Sequence, residues 1–125
     1  MGGIDETIHK NPSLVKYARL LKPQGWYTVQ LLDILLRSPN TVSATSIGLA
    51  SSAYNGGKGA IVDSGTTDTY LPRGVKKKFE ELFRKLSGGL AYSNNNIRLT
   101  KQQYAMLPTI VYRYDGFANS CSRWC

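Results

Sequence analysis

Histidine occurs once in this chain, at His9, and cysteine twice, at Cys121 and Cys125 within the last five residues. The i, i+4 thiols have no second ligand pair, and His9 is remote from them in sequence, so the usual zinc-site spacings are excluded and no metal is expected. Bridging each other and pairing with cysteines outside this chain both stay open, and a disulfide fits an oxidising compartment. No run of eighteen apolar residues is present, so no membrane anchor is visible. No basic start followed by an apolar stretch is present either, so no signal peptide is visible. Acidic residues are few: eight Asp and Glu stand against sixteen Lys and Arg, a formal net charge of +8. Such a balance favours acidic partners or surfaces. A nucleic-acid module, however, needs exposed aromatics beside its basic stripe. Here Lys76, Lys77, Lys78, Arg84 and Lys85 read as a solvated helix face, and no nucleic-acid partner is expected. The sequence also lacks any internal repeat.

What is present suits one domain or part of one: 125 residues, 42% apolar and 19% charged. Residues 9–25 read as loop, with a short extended piece over residues 14–17. Residues 26–36 form the strongest strand, with Trp26, Thr28, Gln30, Leu32 and Ile34 on one face and Tyr27, Val29, Leu31, Asp33 and Leu35 on the other. Both sets are largely apolar, so both faces are expected to meet protein. Residues 41–52 suggest a second strand of weak register, and Asn55-Gly56-Gly57 a turn before a strand at Ile61-Val62. Val75, Phe79, Leu82, Phe83 and Leu86 make one helical stripe, opened by Pro72 and ended by Gly88-Gly89. Thr100 and Gln103 match a capping box before a short helix through Leu107, which Pro108 stops. Residues 109–114 follow as a strand, closed by a turn at Asp115-Gly116. The class is mainly β, with one amphipathic helix and one short one.

The chemistry concentrates in Ala60-Ile61-Val62-Asp63-Ser64-Gly65-Thr66-Thr67. An apolar strand delivers one carboxylate into a tight turn of Ser, Gly and Thr, which predicts a buried, hydrogen-bonded aspartate. Gly65 keeps a side chain out of the turn. Ser64 and Thr66 offer hydroxyls to the carboxylate or to a neighbouring turn, and Thr67 can bond a peptide backbone. Ile61 and Val62 are expected to form an apolar floor that strengthens each of these bonds. One carboxylate cannot hydrolyse a peptide by this route. Two facing carboxylates share a proton, because like charges about 3 Å apart cannot both ionise. One then takes a proton from water while the other protonates the carbonyl oxygen. The chain has one such turn.

Several segments in order resemble the C-terminal lobe of a pepsin-like aspartic protease (peptidase family A1), in the style of the memapsin/β-secretase-like branch. They are Gly2-Gly3-Ile4-Asp5, Gly25-Trp26-Tyr27-Thr28-Val29, the turn at residues 60–67, Leu71-Pro72 with Phe79, and Leu107-Pro108-Thr109-Ile110 with Gly116. The likeness is strongest over residues 1–117, and the whole chain, 1–125, is read as a partial C-terminal lobe. It implies that Asp63 is one of two catalytic aspartates and that Ser64 ties its turn to the partner lobe. Gly65 then sets backbone groups beside the dyad, Thr66 bonds the Asp63 carboxylate, and Thr67 lines the substrate cleft. It further implies an endopeptidase acting on peptide or protein substrates with one water and no cofactor. Residence in the secretory pathway follows: secreted, vacuolar or lysosomal, or membrane-anchored.

The resembled first lobe, with its own Asp-Thr-Gly turn and flap tyrosine, and the closing strands of the second lobe have no counterpart here. Met1 stands where the family is mid-chain, so the sequence reads as a partial product, and the unseen signal peptide carries no information about compartment. Trp26, Tyr27, Ile110 and Tyr112 are expected to pack against structure that missing segments complete, leaving the isolated chain prone to aggregate. Two copies pairing their turns across a two-fold axis is a second route to a dyad. The alternative is an inactive or decoy lobe that binds without cutting. Two findings would count against the protease reading: an intact gene product with no twin carboxylate, or the Asp63 side chain on an open, solvent-washed loop.

Overall fold

A computed structural model describes residues 16–21, 25–93 and 95–116. Expectations on Gly2-Gly3-Ile4-Asp5, His9, residues 14–15, Pro23, Cys121 and Cys125 lie outside the described residues. The elements are β1 (Thr28–Val29), β2 (Leu31–Arg37), β3 (Thr45–Ser46), a 3-10 turn (Ser51–Ala53), β4 (Ala60–Ile61), α1 (Arg73–Leu86), α2 (Lys101–Ala105) and β5 (Thr109–Tyr114). They form two antiparallel sheets, β1 with β4 and β3-β2-β5. By count of elements the described chain is mainly β, with one long helix packed on the three-stranded sheet. No helix among the described residues is long and apolar enough to cross a membrane.

The strand expected over residues 26–36 is interrupted at Gln30, and its alternation changes phase. β2 pairs Leu31 with Tyr114 but Asp33 with Arg113, so Leu32 is an extra residue in the ladder. A bulge of this kind turns every later side chain to the other face. Leu31 therefore joins Ile34 and Leu36 in the core, away from the Asp33 and Leu35 set, and Leu32 is exposed. Asn55 takes up the backbone groups beside the bulge. Its Oδ1 accepts from the Leu31 N–H at 2.9 Å, and its Nδ2 donates to the Leu31 carbonyl at 2.7 Å. Asp33 is buried on the sheet's other face. Its carboxylate accepts from the Ser46 hydroxyl at 2.9 Å and the Tyr54 hydroxyl at 3.3 Å, and Arg113 stands 3.3 Å away across the strand pair. A buried charge requires this kind of satisfaction.

α1 follows its stripe. Val75 and Phe79 are buried against Ile34, Leu36, Ile47 and Tyr54, with Leu82, Phe83 and Leu86 half-buried beside them. Phe79 stacks on Phe83 at 6.2 Å between ring centroids and meets Tyr92 edge-on at 5.2 Å. The lysines face solvent, Lys76 within 3.8 Å of Glu80 and Lys78 within 3.9 Å of Glu81. The helix ends where Gly88 and Gly89 take φ of 70° and 97° and the Gly89 N–H donates to the Arg84 carbonyl, the six-to-one bond of a Schellman ending.

The capping box forms as its residues predict. The Thr100 hydroxyl accepts from the Gln103 N–H at 3.2 Å, and the Gln103 side chain accepts from the Thr100 N–H at 2.9 Å. α2 stops at Ala105, short of the expected Leu107, because the Met106 and Leu107 N–H groups take tighter bonds to Gln103 and Tyr104. Replacing the cap, Thr100→Ala, is expected to cost about 1 kcal/mol. Urea denaturation followed by circular dichroism checks it.

Two further expectations are corrected. Over residues 41–52, Thr45 and Ser46 alone pair as strand, since the segment has few apolar side chains to fix a register; Ile47 anchors it by burial. Asp115-Gly116 is not a turn. The Asp115 N–H donates to the Gln30 carbonyl at 2.9 Å, and Gly116 bridges to Ala18, so the chain stays extended past β5.

Candidate active site

β4 carries the chain to Asp63 under tight guidance. Beyond the Thr28–Ile61 and Val29–Ala60 pairs, the Val62 N–H donates to the Tyr27 carbonyl at 2.9 Å, so the ladder runs to the residue before the aspartate. Gly59 permits this approach: its φ is 80°, and an added Cβ would lie 2.8 Å from the Thr28 methyl.

At the turn each carboxylate oxygen has its own donor. Oδ1 accepts from the Gly65 N–H at 2.9 Å, and Oδ2 accepts from the Thr66 hydroxyl at 2.6 Å. The Thr66 N–H closes the turn onto the Asp63 carbonyl at 3.4 Å. A Cβ on residue 65 would stand 3.3 Å from Oδ1, a close contact that the carboxylate would have to shift by a few tenths of an ångström to relieve. The Thr66 hydroxyl, then the Gly65 N–H, hold the Asp63 pKa below its ordinary value, since both favour the charged form.

The expectation of a buried aspartate is wrong. Asp63 is exposed, and Ile61 and Val62 are 38% and 52% exposed, so the apolar floor is not closed. The hydrogen bonds therefore fix the carboxylate without burying it.

Asp63, Thr66 and Thr67 meet on the wall of a cleft of about 600 Å³; Ser64 and Gly65 lie off that wall. Ser64 and Thr67, like Asp68, make no hydrogen bond among the described residues. Tyr112 and Tyr114, their rings stacked at 6.5 Å, line the same cleft, as do the core residues Leu31 and Ile34. Burial pushes both phenol pKa values up, so both stay protonated at neutral and acidic pH. Asp68, Trp26, Tyr112 and Tyr114 line the cleft although none is expected there from the sequence. A carboxylate five residues past Asp63 in the same loop was the available signal for Asp68. For Tyr112 and Tyr114 it was the i, i+2 spacing on one strand.

Comparisons with protein-family models, curated proteins and solved structures each found no match.

The turn makes a direct prediction. Thr66→Val removes the first donor, so the Asp63 pKa is expected to rise toward the ordinary carboxylate value. Carboxyl-detected NMR titration reads it. The sign is that of a depressed acid: stability linked to Asp63 is present above the unfolded pKa and lost as pH falls through the lowered folded one. Full exposure screens that contribution.

Proposed function

We propose that this chain belongs to the C-terminal lobe of a pepsin-like aspartic endopeptidase and supplies one carboxylate, Asp63, of its catalytic pair. The supporting observation is the turn itself. Both Asp63 oxygens are fixed by short donors, on the wall of a cleft large enough for substrate side chains. A carboxylate positioned this way meets the geometric demand on a general base or acid before any question of pKa. A twin carboxylate then supplies the rest: repulsion raises one pKa of the pair, and a single proton is shared over the attacking water. Thr67, which lines the cleft and makes no hydrogen bond among the described residues, would meet the substrate backbone.

Asp63 stands exposed on the loop after β4, which is the counter-indication to this reading; the two bonds to its oxygens are what supports it. In a two-lobed arrangement this is the face that the second lobe covers. A second reading has its own observation. An exposed aspartate with a lowered pKa is a simple ionised carboxylate, as suits a lobe that binds peptides without cutting them.

The test is a peptidase assay at acidic pH, with a generic peptide and a transition-state-mimicking inhibitor, on this chain alone and on the intact gene product. The expected result is inhibitor-sensitive cleavage by the intact product and none by the monomeric chain. An intact product with no second Asp-Thr/Ser-Gly turn and no cleavage leaves the binding-lobe reading in its place.

A further inference from the structure

The turn Asn55-Gly56-Gly57 does more than join its neighbours. Asn55 is the sole asparagine of the chain that precedes a glycine. Its side-chain amide is bound on every side to backbone. Nδ2 donates to the Leu31 carbonyl at 2.7 Å and to the Ser51 carbonyl at 2.6 Å, and Oδ1 accepts from the Leu31 N–H at 2.9 Å. Asn55 is half-buried; Gly56 beside it is exposed, and a Cβ added there would meet nothing within 4 Å.

An asparagine followed by glycine contains its own reacting pair. The glycine nitrogen attacks the asparagine Cγ, an N–Cγ bond forms and the Cγ–Nδ2 bond breaks. The amide nitrogen leaves as ammonia, taking up the proton of the glycine N–H. Water then opens the cyclic imide on one side or the other, giving aspartate or isoaspartate. One water is consumed, one ammonia is released, and nothing is oxidised or reduced. Glycine favours the attack because no Cβ restricts the backbone rotation that brings the two atoms together. In the native chain the nitrogen that must leave is the one held by two carbonyls, so the attack waits until Asn55 lets go of Leu31 and Ser51.

The product cannot rebuild what was lost. A carboxylate at position 55 still accepts from the Leu31 N–H, but it sets an oxygen against the two carbonyls to which Nδ2 donated. Unpaired acceptors and a charge partly removed from water both destabilise the folded state. Isoaspartate also lengthens the main chain at the turn. Leu31 adjoins the bulge at Leu32 and lines the cleft, so the change reaches the cleft wall.

We propose that Asn55 is a site of spontaneous deamidation that the fold itself guards. Conversion is suppressed while the amide grips Leu31 and Ser51, and a molecule that opens there is converted to a form that no longer holds the bulge. The inference is independent of the peptidase reading.

The experiment holds the 125-residue chain in mildly alkaline buffer, with and without urea, and follows the amide-to-acid mass gain at residue 55 by peptide mapping. Conversion is expected to be at least about tenfold slower without urea, since it proceeds from locally opened molecules. Gly56→Ala is expected to slow conversion in urea by about tenfold through the restriction its Cβ imposes. It is expected to keep the wild-type urea midpoint, because the added methyl enters open space. Chains converted in urea and returned to buffer are expected to unfold at a lower midpoint, as is Asn55→Asp. Equal rates with and without urea overturn the proposal. So does an absence of conversion at residue 55 in urea, or an Asn55→Asp midpoint equal to that of the wild type.

Discussion

If Asp63 is half of a catalytic pair, as proposed, Asp63→Asn is expected to lower peptidase activity by about 10²–10⁴-fold, the range for removing a general acid or base. The amide has nearly the shape of the carboxylate and keeps an oxygen for the Gly65 N–H, but it cannot take a proton from water or share one with a twin. Its nitrogen can face the Thr66 hydroxyl, so the turn survives. Asp63 is exposed, so the substitution is expected to leave the melting temperature nearly unchanged. The loss therefore falls on kcat with KM nearly constant, the pattern of a group that acts in the transition state. Equal losses in folding and activity would place Asp63 among structural residues instead.

Phe79→Ala is expected to produce the largest loss of stability. The ring is 2% exposed and lies where α1 meets β2, stacked on Phe83 and touched edge-on by Tyr92. Removing a buried phenylalanine costs about 3–5 kcal/mol. Whole domains have only about 5–15 kcal/mol of net stability. This one also exposes Trp26 and Tyr27 at 49% and 71%, apolar surface that does not contribute to its core. The variant is expected to lose its cooperative transition in urea. Lys77→Ala, on the solvent face of the same helix, is expected to shift the midpoint by no more than about 0.5 kcal/mol.

The contrast between these two positions shows what the sequence made legible. α1 was readable because five large apolar residues fall on one stripe and nothing competes with them. The start of α2 was readable because a capping box is a local device, closed within four residues. β5 was readable from its apolar run between Pro108 and Asp115. The bulge at Leu32 was not: strict alternation fits residues 26–36 either way, and the partner that imposes the phase lies on β5, about eighty residues later. The same distance hid the Asp33–Arg113 pair, although an acid inside an apolar strand signals some buried partner. Asp115-Gly116 has turn chemistry, but the ladder to Gln30 and the bridge to Ala18 override it. At the candidate site, the donors to Asp63 followed from Gly65 and Thr66 at fixed offsets. Its exposure did not, because burial depends on what covers a surface, and local spacing is silent about that.

On the proposed function, Asp63 is a pre-positioned carboxylate that pairs with a twin. The most direct measurement is a site-resolved carboxyl titration of Asp63, first in this chain and then in the intact gene product. The account predicts a single step below the ordinary carboxylate range in the chain. In the intact product it predicts two coupled steps, the upper one above that range, with both carboxyls responding to each. A single step at the same low pH in both forms would contradict it.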